Sequence, residues 1–266
     1  MNKEKISCSV GILSFNSERG IRKALESVKD FAEIIICDGG STDKTTEIAK
    51  EFECKIIFQD QKFKYENNRI RDFSGVRNQM LEASNYLWFF YVDSDESLTN
   101  EVVSEVREII EKNTSPSLYW VPRKYVIDGK IIDCASTYPS KQMRFFHREA
   151  GDKFIKTIHE RIDPKPDYPV LSLKNFMLVP QSGNVEEIRK KWDYYVNLEC
   201  ERRPKISFMD WLKVCLENLK ISLLFAFRSL RNIFFCRGSK MLFALEWERH
   251  RYHFNLCKNL FKNIKL

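Results

Sequence analysis

The chain has 266 residues, 43% of them hydrophobic and 30% charged, with a formal charge of +7. That length suits one large domain with an extension, or two small ones, and the apolar content is enough for a core. The charge is uneven: residues 205–266 carry twelve Lys or Arg against four Asp or Glu, and the rest of the chain is close to neutral.

Eight cysteines, at 8, 37, 54, 134, 200, 215, 236 and 257, include no C-x-x-C pair. They read as reduced, buried thiols, neither a disulfide frame nor a zinc site. The N-terminus shows no apolar segment of signal-peptide length and leads directly into a strand, so secretion is not expected. No apolar run approaches eighteen residues, so a spanning helix is not expected.

Taken in order, Ile6 to Phe15 predicts a first strand, broken by Asn16, Ser17 and Gly20 before a short helix that ends near Asp30. Glu33 to Cys37 is a second strand, running into Asp38-Gly39-Gly40-Ser41-Thr42-Asp43, and Lys44 to Glu53 is a helix. Asp38 at the strand tip can accept from a ribose hydroxyl or a base N–H, whereas Asp43 suits a helix cap. Lys55 to Gln59 is a third strand and Phe73 to Ala83 a helix carrying Arg77. Strand alternating with helix predicts a parallel sheet with right-handed crossovers.

Tyr86 to Val92 is an apolar and aromatic run of strand length, expected at the centre of the sheet. Asp93, Asp95 and Glu96 follow at its carboxyl end, where open α/β sheets bind ligands. Residues i and i+2 share a face, so Asp93 and Asp95 can grip one divalent cation or one polyhydroxyl ligand together. Thr99 is the expected cap of the next helix.

Ser117 to Pro122 and Gln142 to Arg148 read as strands, and Val126 to Ile132 as a hairpin with Asp128-Gly129 at its tip. Trp120 is expected in the core, with a platform for stacking a ligand ring as the other option. In Phe154 to Ile162, F-I-K-T-I-H-E-R-I, a regular strand would send His159 and Glu160 to opposite faces. Both can serve one site only if the strand ends or bends there.

Four motifs in succession, S-V-G-I-L-S-F-N, I-I-I-C-D-G-G-S-T-D-K-T, S-G-V-R-N-Q-M-L and F-F-Y-V-D-S-D-E, span residues 6–100. Together they resemble the family 2 glycosyltransferases of the GT-A fold. The resemblance implies that Asp38 contacts the nucleotide base, Arg77 lies near the nucleotide, Asp93 faces ribose or donor sugar, and Asp95 ligates Mn²⁺ or Mg²⁺. The I-H-E stretch after R-F-F-H-R resembles a bacterial subgroup that builds lipopolysaccharide cores and related glycans. It puts Glu160 at the reaction centre as the acceptor base, and His159 there too or on the metal or diphosphate. The second histidine of a zinc-protease signature is missing, since Asp163 stands in its place.

Residues 184–202 are polar and helical in pattern, closed by Pro204. From Ser207 apolar stripes alternate with Lys and Arg, and Arg237-Gly238 separates two helices. Such helices suit an anionic membrane surface; packing on the protein or on a second copy is the competing reading. Nucleic acid fits poorly, because the charge lies among large aliphatic faces with no recognisable binding module.

The expectation is therefore an α/β, GT-A-like catalytic domain over residues 1–183, with a nucleotide-sugar half to about 98 and an acceptor half after it. A helical, membrane-interfacial extension would occupy 184–266. Its activity would be metal-dependent, inverting transfer of a hexose or N-acetylhexosamine from a UDP-linked donor to a lipopolysaccharide or lipid-linked glycan acceptor, on the inner face of the cytoplasmic membrane. A nucleotidyltransferase and an inactive membrane scaffold are the alternatives. The first is disfavoured by the glycine-poor segment after the first strand, the second by the presence of Asp93, Asp95 and Glu160.

Overall fold

The computed structural model describes residues 4–66, 69–112, 115–157 and 160–264. Contacts group the chain into two units, Met1–Lys124 with Ser140–Val179, and Tyr125–Pro139 with Pro180–Leu266. Residues 125–139, expected within the catalytic domain, thus group with the C-terminal helices.

The first unit runs β1 (Ile6–Ser14), α1 (Glu18–Val28), β2 (Phe31–Asp38), α2 (Thr45–Glu51), β3 (Lys55–Phe58), α3 (Phe73–Glu82), β4 (Trp88–Asp93) and α4 (Asn100–Glu111). After β5 (Leu118–Ile127), whose end enters the second unit with β6 (Lys130–Ile131), come β7 (Ser140–His147), β8 (Phe154–Ile155), β9 (Arg161–Ile162), β10 (Val170–Ser172) and β11 (Met177–Pro180). The sheet order is β10-β5-β7-β4-β1-β2-β3, with β4 in the middle as expected. β4, β1, β2 and β3 are mutually parallel, while β7 runs antiparallel to β4 and β5.

This topology positions the site. The carboxyl ends of the parallel strands share one edge, where Leu13 pairs with Asp93 and Ser14 with Asp38. β4 is buried on both faces because its side chains alternate between two cores: Trp88, Phe90 and Val92 join one, Phe89 and Tyr91 the other. Asp93 continues the second face, the one covered by Val76, Met80 and Leu81 of α3. Stacking of Trp88 on Phe145 at 4.8 Å ties β4 to β7; truncating such a buried aromatic to Ala costs about 3–5 kcal/mol. Gly20 lets α1 approach the loop after β4, since a Cβ there would lie 3.0 Å from Ser94 O and 3.1 Å from Asp95 Cα. Thr99 caps α4 as expected, its hydroxyl accepting from Val102 N.

In the second unit the expected hairpin joins β5 to β6, with Asp128 (φ 48°) and Gly129 (φ 77°) in the left-handed region that such a two-residue turn requires. α5 (Val185–Arg202) and α6 (Phe208–Phe235) both pack on α7 (Phe243–Phe261). α6 has no buried residue, and Leu216, Leu219, Leu223, Phe227, Leu230 and Phe234 stand exposed along it. No helix among the described residues is long and apolar enough to cross a membrane.

The cysteine reading needs one correction. Six thiols are free, but Cys134 and Cys236 form a disulfide. A separation of 102 residues hid the pair. Backbone bonds from Asp133 N and Cys134 N to Ser239 O bring the two segments together.

Candidate active site

Two aspartates end strands at the shared edge, and their surroundings differ. Asp38 is fully buried. Its Oδ1 accepts from the hydroxyls of Ser14 (2.8 Å) and Ser41 (2.6 Å), and its Oδ2 from the backbone N–H groups of Gly40 (2.8 Å) and Ser41 (2.7 Å). The carboxylate expected at the nucleotide base is occupied by its own turn. Asp43, expected as the cap of α2, lies one residue before its N-cap Lys44; it accepts from Thr45 N (3.0 Å) there and from Glu18 N (3.0 Å) at the start of α1.

Asp93 is held by two arginines. Arg77 Nη2, reaching from α3, donates to Oδ1 at 3.0 Å, and Arg144 Nη2, from β7, to Oδ2 at 2.9 Å. Both guanidiniums lie over the Tyr91 ring, 4.2 and 4.7 Å from its centroid, a cation–π arrangement that fixes their planes. Arg144 also pairs with Glu96 (Nη1 to Oε2, 2.6 Å), and Arg123 donates to Glu96 Oε1 at 2.7 Å. At the other end Arg77 Nε donates to Glu160 Oε1 at 2.6 Å. The result is an alternating series of three carboxylates and three guanidiniums, formally neutral. Burial alone would raise the Asp93 pKa, but Arg144 and then Arg77 outweigh it and hold the carboxyl well below the usual carboxylate range.

The strand that raised doubt about Glu160 ends early. β8 stops at Ile155, Lys156 takes a positive φ of 71°, and Glu160 follows in the connection before β9. It is therefore free of the alternation that a continuous strand would impose, and it reaches Arg77. His159 lies outside the described residues.

Asp93 and Asp95, expected to grip one cation together, stand in different surroundings. Both Asp93 oxygens accept from guanidiniums, whereas Asp95 is exposed at the edge. Among the described residues no group of three His, Cys, Asp or Glu side chains could hold a metal. A Mg²⁺-type ion commonly takes one or two carboxylates and completes its shell with substrate phosphates and water, so Asp95 fits that use and not a closed protein site.

Arg144, Arg123 and the anchoring role of Glu96 were missed in the sequence. A signal existed for Arg144: it sits in the apolar strand Q-M-R-F-F, and a buried charge there must be paired. Trp120, expected in the core, is instead 40% exposed on β5.

The profile of Glycosyl transferase family 2 matches residues 9–161, a stretch holding Asp38, Arg77, Asp93, Asp95, Arg144 and Glu160. The chain is 26% identical over 236 residues to the SPbeta prophage-derived glycosyltransferase SunS of Bacillus subtilis (strain 168), covering 81% of this chain and 54% of SunS. To the lipopolysaccharide core biosynthesis glycosyltransferase LpsC of Rhizobium meliloti (strain 1021) it is 25% identical over 162 residues, 60% of this chain and 58% of LpsC. The chain thus spans little more than half the length of these relatives. Among solved structures, S. aureus TarS 1-349 in complex with UDP aligns over 96% of this chain and 90% of TarS 1-349, with a TM-score of 0.47 and 15% identity.

Proposed function

We propose that this chain, which belongs to glycosyl transferase family 2, moves a hexose or N-acetylhexosamine from a UDP-linked donor to a lipopolysaccharide or lipid-linked glycan acceptor. The observation that carries this reading is the meeting of Asp93 and Glu160 on one guanidinium at the carboxyl edge of the sheet. The likeness to a lipopolysaccharide core enzyme supports the acceptor class.

Glu160 accepts the proton of the acceptor hydroxyl as that oxygen attacks the anomeric carbon. The bond from the anomeric carbon to the diphosphate oxygen breaks, and its electron pair leaves with the diphosphate. Attack opposite the leaving group inverts the centre. Asp93, with both oxygens oriented by arginine and its side chain 36% exposed, accepts from a ribose or donor-sugar hydroxyl. Asp38 serves the nucleotide side by fixing the turn over residues 39–41. Mn²⁺ or Mg²⁺ held by Asp95 would supply positive charge for the departing diphosphate. The sequence resemblance would give His159 a role at the same centre, toward the metal or the diphosphate.

The exposed stripe of α6 supports binding to a membrane surface, which this reading takes to be the inner face of the cytoplasmic membrane. Lys213, Lys220, Arg231, Arg237 and Lys240 lie on or just after that helix and are exposed, and each basic residue near an anionic surface is worth roughly 1 kcal/mol. Two copies of this face would bring like charges together, so lipid is the better occupant. Flotation with phosphatidylglycerol vesicles but not with phosphatidylcholine vesicles is expected, and F227E should reduce it; equal flotation with both would remove the electrostatic part of the argument.

Calorimetric titration with UDP, and with GDP for comparison, each with and without Mn²⁺, tests the donor site. Metal-dependent UDP binding is expected, and binding to neither nucleotide would defeat the reading. E160Q should keep UDP binding and lose transfer; normal turnover in that variant would move the base elsewhere.

A further inference from the structure

The family resemblance puts Arg77 beside the nucleotide, yet its described hydrogen bonds go to two carboxylates. We propose that Arg77 is the positioning residue for the acceptor base: it holds Oε1 of Glu160, leaves Oε2 for the acceptor hydroxyl, and ties that geometry to Asp93 on the donor side. This rests on the reading of Glu160 as the base.

Three observations support it. Glu160 sits in the short connection between two strands of two residues each, a scaffold too slight to fix a carboxylate by itself. Its Oε1 is bound by Arg77 Nε at 2.6 Å, and among the described residues Oε2 has no hydrogen-bond partner. Arg77 itself has little freedom, because it is 5% exposed, stacked on Tyr91, and bonded through Nη2 to Asp93, whose other oxygen Arg144 holds. A guanidinium presents these N–H groups in one rigid plane, which a lysine ammonium cannot reproduce. The donor-facing acid and the acceptor base are thereby held in one frame. Misplacing a reacting group by about 1 Å can cost roughly a hundredfold in rate.

The test compares wild type, R77Q, R77K, E160Q and R77Q/E160Q. UDP affinity is measured by calorimetry, and UDP release from UDP-glucose and UDP-N-acetylglucosamine with Mn²⁺, water serving as acceptor. R77Q should keep UDP affinity within about threefold while release slows about a hundredfold, a loss in turnover and not in ground-state binding. R77K keeps a positive charge beside both carboxylates; its release should fall between wild type and R77Q, and below wild type in the case that R77Q does not fold. The double variant should be no slower than E160Q alone, since residues that act as a unit are not additive. Losses that multiply, or a collapse of UDP affinity in R77Q, would overturn the proposal and leave Glu160 as base. Normal release by E160Q would remove the base and this proposal together. If wild type releases UDP from neither donor, the Arg77 Nε–H resonance, assigned by its loss in R77K, decides. It should move upfield and exchange faster in E160Q, and an unmoved signal would overturn the contact.

Discussion

Asp38 and Asp93 end strands on either side of β1, at the same edge of one sheet, and differ in where their partners come from. Asp38 takes neutral donors, three of them from residues 40 and 41 and one from Ser14 on the adjacent strand. Asp93 takes two guanidiniums, 16 and 51 residues away, from α3 and β7. A carboxylate saturated by its own turn gives that turn its shape and has little left for a ligand. A carboxylate clamped from both sides by distant charges keeps an exposed edge and a fixed direction. Under the proposed function, Asp38 shapes the edge and Asp93 meets the ligand.

The comparison is broken most severely at Arg144. R144M leaves Glu96, 2% exposed, with Arg123 as its one remaining guanidinium among the described residues, beside the backbone N–H of Asp93, and leaves Asp93 with Arg77 alone of its two guanidiniums. Removing one member of a buried ion pair costs about 3–5 kcal/mol, to be read from urea denaturation. A loss under about 1 kcal/mol, the scale of an exposed pair, would mean that distant charge does not hold this edge. The same asymmetry should appear against pH, with a smaller effect. The Asp93 pKa is depressed in the folded state, so its contribution to stability is present above the unfolded value and is lost as pH falls through the folded one. The stability gap between wild type and D93N should therefore persist from neutrality through the ordinary carboxylate range near pH 4 and close only below it. A gap that closes between pH 5 and 4 would remove the arginine clamp as its cause.

The same division explains what could be read from sequence. The half through residue 98 was legible because its strands are short apolar runs ending in polar turns, and the partners of Asp38 lie almost entirely within four residues of it. The clamp on Asp93 was not, because nothing near D-S-D-E reveals that Arg144 arrives from an antiparallel strand fifty residues on. Glu160 was legible as a candidate but not as reachable, since the end of β8 at Ile155 depends on backbone geometry. In the second unit the disulfide and the grouping of residues 125–139 with the helices come from contacts across about a hundred residues. Local patterns do not carry them.

The mildest expected change sharpens the comparison from the Asp38 side. In D38N an amide nitrogen at the Oδ2 position would face two backbone N–H donors, whereas a flipped amide puts that nitrogen against the Ser14 and Ser41 hydroxyls, which can rotate to accept. The flipped arrangement keeps both backbone bonds through the remaining oxygen. Its cost should be about 1 kcal/mol, the worth of a typical hydrogen bond, measured by denaturation. UDP affinity of the folded variant should be unchanged, because the turn keeps its shape without the charge. A loss of affinity of about tenfold, equivalent to 1.4 kcal/mol, with stability otherwise intact, would put the Asp38 carboxylate on the nucleotide itself and make the two aspartates alike.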